Sequence, residues 1–172
     1  MNANNHRYVL RRDWLGVGDI VNFIMLNPST ADDVFDDATI RRCVGYAQRW
    51  CFTGLVVTNL YAFRATDPKE LKALAATNLG LAVGEENDEH IQREAANAYT
   101  IVCAWGDNCN MVAHRDLDVI SMLRTFDLFC IRHTAKGNPA HPVRERYTEQ
   151  PRLFCPKLNE TSETTRPTES KP

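Results

Sequence analysis

A chain of 172 residues with 44% hydrophobic and 24% charged side chains is long enough to bury one sizeable core and has an ordinary globular composition. Its formal net charge of −2 has the wrong sign for a protein that holds the DNA backbone non-specifically, so any nucleic-acid contact has to come from a local patch. No apolar run approaches the roughly 18–20 residues that span a bilayer, and residues 1–7 lack the apolar stretch of a secretory leader, so the expectation is a cytoplasmic protein with no membrane partner.

In chain order, residues 8–12 read as a short edge strand or lead-in. Ile20-Val21-Asn22-Phe23-Ile24-Met25-Leu26 is a mostly apolar run that stops at Asn27-Pro28, the pattern of a buried strand forced to turn at proline. Asp36 and Asp37 then precede Ile40, Cys43, Val44, Ala47 and Trp50, whose spacing predicts a helix with acids at its N-terminus. Residues 54–60 are the second buried-strand candidate. Asp67-Pro68-Lys69-Glu70 carries a capping aspartate, proline in the first turn and glutamate three residues after the cap, followed by Leu71 and Leu74. Asn87 or Asp88 opens another helix, with Ile91, Ala95 and Ala98 on one face. Residues 100–105 form a third strand closed by Gly106. A helix over 109–124 would bury Val112, Leu117, Ile120 and Leu123, and residues 127–131 give a fourth strand.

This order predicts an α/β fold, a three-layer sandwich whose mainly parallel four-stranded central sheet carries helices on both faces. A single domain over 7–150 is expected, followed by a disordered polar tail over 151–172, since residues 159–172 contain no apolar side chain. Cys43, Cys103 and Cys130 fall in apolar periodic segments and read as free, buried thiols. No Cys-x-x-Cys pair occurs. Cys103, Cys109 and His114 are one combination able to meet a metal, but Cys103 belongs to a core strand, so neither metal nor cofactor is expected.

In an open parallel sheet, ligands bind beyond the carboxyl ends of the strands. Four polar segments fall there: Asn27-Pro28-Ser29-Thr30-Ala31-Asp32-Asp33, Thr58-Asn59-Leu60-Tyr61-Ala62-Phe63-Arg64, Ala104-Trp105-Gly106-Asp107-Asn108 and Gly137-Asn138-Pro139-Ala140-His141-Pro142. Asn27 and Asn59 each offer a donor and an acceptor suited to an amide-like edge, such as that of a nucleobase, or to holding a water. A neutral His141 can donate a hydrogen bond to a leaving group that gains negative charge. Ala104-Trp105-Gly106 reads as a wall. Asp32, Asp33, Asp36 and Asp37 crowd the first loop, where they could serve as base or magnesium ligands, or else cap the helix and face water with Arg41 and Arg42 offsetting them. Between residues 132 and 146 lie Arg132, His133, Lys136, His141, Arg144 and Arg146 against Glu145, a basic stretch able to meet phosphate or simply to face solvent.

From Tyr8 to about Tyr147 these motifs resemble the domain-of-unknown-function family 1643 of bacterial and phage proteins, which brings no activity with it. The likeness rests on Ile24-Met25-Leu26-Asn27-Pro28-Ser29-Thr30-Ala31-Asp32, Asp36-Asp37-Ala38-Thr39-Ile40-Arg41-Arg42, the 58–68 segment, Asn87-Asp88, Ala104-Trp105-Gly106 and Gly137-Asn138-Pro139-Ala140-His141-Pro142. More distantly, Asn27-Pro28, Asn59 through Arg64 and His141-Pro142 resemble, in order, the motifs of the uracil-DNA glycosylase superfamily. That resemblance implies a glycosylase-like fold in which Asn27 positions the attacking water, Asn59 reads the base and His141 stabilises the departing base anion, with the base flipped from a duplex or supplied single-stranded. With the loop acids and the basic stretch added, the expected catalytic set is Asn27, His141 and Asp32, and the expected substrate-binding set is Pro28, Ser29, Asn59, Tyr61, Arg64 and Arg144. The expectation is a nucleobase- or nucleotide-directed enzyme with DNA or a nucleotide as partner. The alternatives are a non-catalytic nucleic-acid or nucleotide-binding module and a metal-dependent hydrolase using the acidic loop.

Overall fold

The longest apolar runs of the chain lie side by side in one sheet. The computed structural model describes residues 5–29, 31, 35–111 and 114–154. Its strands are β1 (Leu10–Asp13), β2 (Ile20–Met25), β3 (Gly54–Asn59), β4 (Thr100–Cys103), β5 (Leu128–Cys130) and β6 (Arg152–Leu153), in the spatial order β1-β3-β2-β4-β5-β6. β3, β2, β4 and β5 are parallel, in a register that sets Met25 beside Asn59 and Ile24 beside Cys103. β1 and β6 close the two edges as antiparallel strands on β3 and β5.

The expected four-stranded sheet is therefore the parallel centre of a mixed six-stranded one. The extra strand β6 falls within the segment read as a polar tail. Two residues are too few to leave a periodic signal, and it is Phe154, buried just after them, that packs the segment down. The domain thus runs past residue 150, and residues 155–172 lie outside the described ones.

Alternation along the strands builds two cores. Val21, Phe23, Met25, Leu55, Val57 and Val102 pack against α1 (Ala38–Arg49) through Ile40, Cys43, Tyr46 and Ala47. Ile24, Ile101, Cys103 and Cys130 face the other way, toward α2 (Pro68–Thr77), α3 (Leu79–Val83), α4 (Asn87–Asn97) and α5 (Arg115–Met122). Helices therefore cover both faces. None of the described helices is long and apolar enough to cross a membrane.

The local signals at helix starts act as their chemistry predicts. The Asp37 carboxylate accepts from the Ile40 amide at 2.8 Å and Asp67 accepts from Lys69 at 2.8 Å, each satisfying an otherwise orphan N–H. The single helix expected over 109–124 is instead two pieces, a 3₁₀ turn at Gly106–Met111 and α5. His114, at φ 52°, stands in the left-handed region immediately before α5, a conformation no helix continues through. The break re-phases the face, so Val119 and Leu123 are buried while Leu117 is 39% exposed; Val112 lies outside the described residues. Cys43, Cys103, Cys109 and Cys130 are buried, and burial pushes the Cys43 and Cys103 thiols above their ordinary range.

Candidate functional site

The crossover β2–α1–β3 runs over one face of the sheet, and β3–α2–α3–α4–β4 runs over the other. The carboxyl ends of β2 and β4 consequently part at a topological switch point, where an open sheet leaves a crevice. A cleft of about 790 Å³ opens there, lined by Asn27, Ser29, Asn59, Trp105, His141 and Arg144 among others. Its size lies within the roughly 300–1,000 Å³ of small-molecule sites.

Backbone bonds tie the strand ends into the floor of this cleft. Leu60 N donates to Met25 O at 2.9 Å, Tyr61 N to Leu26 O at 3.0 Å and Ala65 N to Pro28 O at 3.2 Å. The Asn27 Nδ2 donates to Pro28 O at 2.9 Å and Ala65 O at 2.7 Å. Carbonyls only accept, so these two bonds fix the orientation of the amide and leave its oxygen as the group offered to a ligand. Asn59 differs. It is 2% exposed, and its side-chain amide has no hydrogen-bond partner among the described residues although it lines the cleft. Its backbone carbonyl accepts from Asn87 Nδ2 at 3.0 Å, so the buried Asn87 at the start of α4 holds the end of β3 in place. A buried polar group left open toward a cavity is what a ligand satisfies.

His141 reaches the cleft on a turn stitched to the end of β4. Gly106 N donates to Pro139 O at 2.9 Å. Gly106 has φ +74°, and a Cβ there would lie 3.3 Å from the His141 Cβ, so both the backbone conformation and the close approach call for glycine. Asp107 accepts from Thr134 Oγ1 at 2.6 Å and from Asn138 Nδ2 at 2.9 Å, and these bonds hold its carboxyl below the usual range. The imidazole Nδ1 of His141 accepts from the Val143 amide at 3.4 Å. Burial, with the Arg144 charge adding to it and Asp37 opposing, lowers the His141 pKa from its ordinary value of 6.5. The ring is then neutral at pH 7 with its proton on Nε2, a donor without a charge.

The cleft brings together five of the expected site residues: Asn27, Ser29, Asn59, His141 and Arg144. Pro28 is buried beside it and contributes only its carbonyl. Tyr61 is not in the lining: 1% exposed, it packs in the core on the α2–α5 side, and burial pushes its hydroxyl up to about 12. Arg64 is exposed and also lies outside the lining, because the chain turns at Ala62–Ala65 to pair with the N-terminal segment, Arg64 N donating to Asn5 O at 2.8 Å. Asp32, Asp33 and Thr30 lie outside the described residues.

Of the remaining loop acids, Asp36 is ion-paired with Arg12 at 2.8 Å and Asp37 caps α1. Arg42, expected to offset these acids, instead points along α1 to the carbonyls of Pro142 and Glu145. No group of three His, Cys, Asp or Glu residues is placed to hold a metal among the described residues, so Cys103, Cys109 and His114 do not assemble as one. Trp105 and Gly106 form a wall of the cleft.

Two lining residues are invisible to sequence reasoning. Arg7 is 8% exposed and reaches the cleft from the N-terminal segment, which Arg7 N anchors to Ala62 O at 2.9 Å; its guanidinium donates to Ala31 O. Glu145 is engaged by Arg132 through two bonds of 2.8 Å. Arg7 carries no motif, whereas the alternation of signs at 144–146 is a weak cue for Glu145. No curated protein and no solved structure matches the chain. The family model described as protein of unknown function (DUF1643) matches residues 7–143, a span running through the cleft from Arg7 to Val143, and the chain belongs to that family.

Proposed function

We propose that the cleft holds a nucleobase with its sugar and hydrolyses the N-glycosidic bond between them, as in the uracil-DNA glycosylase superfamily. The observation that carries the reading is the meeting of Asn27, Asn59 and His141 on one cleft at the carboxyl edge of the sheet. The oriented Asn27 oxygen accepts a hydrogen bond from water and holds it against the anomeric carbon. The unpartnered Asn59 amide pairs with the edge of the base. As the C–N bond breaks, its electron pair leaves with the base, and the neutral Nε2–H of His141 donates to that anion. The water oxygen bonds to the anomeric carbon and gives up its proton to solvent.

The test is incubation of the purified protein with oligonucleotides containing uracil, hypoxanthine and modified pyrimidines, and with the matching nucleosides and nucleotides, reading free base and abasic product. Base release is expected, falling about 100-fold or more in Asn27→Ala and in His141→Ala. Intact substrates across the whole panel would overturn the reading.

A further inference from the structure

Resting on the nucleobase reading for the rest of the ligand, we propose that the cleft takes a free mononucleotide whose phosphate is held by Arg144, and not a nucleic-acid duplex. The argument is a charge inventory of the cleft. Three arginines line it, Arg7, Arg132 and Arg144. Arg132 is neutralised by the two-point contact with Glu145. Arg7 is 8% exposed and its guanidinium donates to Ala31 O. Arg144 is exposed and makes no ion pair or side-chain hydrogen bond among the described residues. Its charge acts on both His141 and Asp107, which places it on the His141 side of the cleft mouth.

None of the acids that line the cleft forms an ion pair with it among the described residues. Asp37 is engaged by the α1 cap, Asp107 by Thr134 and Asn138, and Glu145 by Arg132. One open guanidinium and one buried, unpartnered Asn59 amide on the same cleft provide for one phosphate and one base.

Duplex binding asks for more. A protein that holds a duplex typically makes on the order of 6–10 phosphate contacts. Of the cations in the basic stretch over 132–146, the cleft receives Arg132 and Arg144. Arg132 is paired, His141 is neutral, and Lys136 and Arg146 lie outside the cleft lining. Elsewhere Arg11, Arg12, Arg93, Arg115 and Arg152 are each ion-paired with an acid. A molecule of net charge −2 with six of its arginines ion-paired has less counterion release to offer a polymer.

Calorimetric titration of the full chain with deoxyuridine, deoxyinosine and deoxyguanosine, with their 5′-monophosphates, and with single- and double-stranded 12-mers containing the same bases tests this. For at least one base the monophosphate should bind about 10-fold or more tighter than the nucleoside, with a preference that weakens as salt screens the phosphate. Arg144→Gln should erase that preference and Arg144→Lys should keep part of it, while Arg124→Gln, at an exposed turn just beyond α5, should leave it unchanged. Because Arg144 is exposed and unpaired, its substitution does not threaten folding. Equal binding of nucleoside and monophosphate, no binding of any monophosphate, or tighter binding of the 12-mers with a salt dependence that steepens with length would each overturn the inference. Monophosphate binding without base release would support it and overturn the hydrolytic reading. Base release from 12-mers alone would do the reverse.

Discussion

His141 does two things at once, and the first depends on its being neutral. It caps the 3₁₀ turn Pro142–Arg144 through Nδ1 and offers Nε2–H to the cleft. Because its folded pKa lies below the ordinary 6.5, the unfolded chain binds a proton that the folded chain refuses as the pH falls. The contribution of this residue is intact above 6.5 and is lost progressively below it, through the folded pKa. Thermal denaturation across that window should show stability falling on acidification, with a shallower fall in His141→Gln; parallel slopes would mean that His141 is not the group responsible. Gly106 beneath it sets the position of the ring. Gly106→Ala forces a side chain into φ +74° and against His141, which should cost about 1–2 kcal/mol in denaturant unfolding and also displace the imidazole, visible as a shift of its ring resonances. Both residues are recognisable in the sequence as a strand-ending glycine and a His-Pro turn. Their contact is not, since it links positions 35 apart through a backbone approach that no residue type announces.

The segment from Pro142 to Glu149 is an irregular strap laid along α1, and α1 holds it by its side chains. Arg42 donates to the carbonyls of Pro142 and Glu145, Tyr46 Oη to Arg146 O at 2.8 Å, and Trp50 Nε1 to Glu149 O at 3.0 Å. The ring of Tyr147 lies between two guanidinium groups, Arg42 at 3.7 Å and Arg49 at 4.0 Å from its centroid, and over Gly45, where a Cβ would come within 2.5 Å of the Tyr147 hydroxyl. The strap carries Arg144 and follows directly on His141, so α1 fixes one side of the cleft. Arg42→Ala should cost about 2–3 kcal/mol from the lost stacking and hydrogen bonds, and should speed amide exchange over 142–149 before any other segment. Exchange that rises evenly over the whole chain would refute a local clamp. Periodicity shows that α1 is a helix and which of its faces meets the sheet. The second role of its polar flank is hidden, because the partners there are backbone carbonyls about 100 residues away, and carbonyls are the same in every sequence.

At the scale of the whole molecule, the last described residues back the Trp105 wall of the cleft. Phe154, 7% exposed, packs edge-on against Trp105 at 5.8 Å and stacks on His133 at 5.6 Å. Phe154→Ala should cost about 3 kcal/mol by the cavity it leaves and loosen Trp105, which tryptophan fluorescence during unfolding would report; an unchanged midpoint would show that β6 is an ornament of the sheet edge. The sequence by itself determined the four parallel strands, the helices α1, α2 and α4 between them and the edge at which polar loops gather. Those features are local: apolar runs, caps and proline stops act within a few residues, and strand polarity then sends every βα loop to the same side. Only the tertiary structure decided which of those loop residues face the cleft. It kept Asn27, Asn59, His141 and Arg144, buried Tyr61 in the core, turned Arg64 away, and brought in Arg7 from the first strand's lead-in. The reason is physical. A side chain's direction at the end of a strand depends on the hydrogen bonds its loop makes to other loops, and those bonds join stretches of chain that share no pattern.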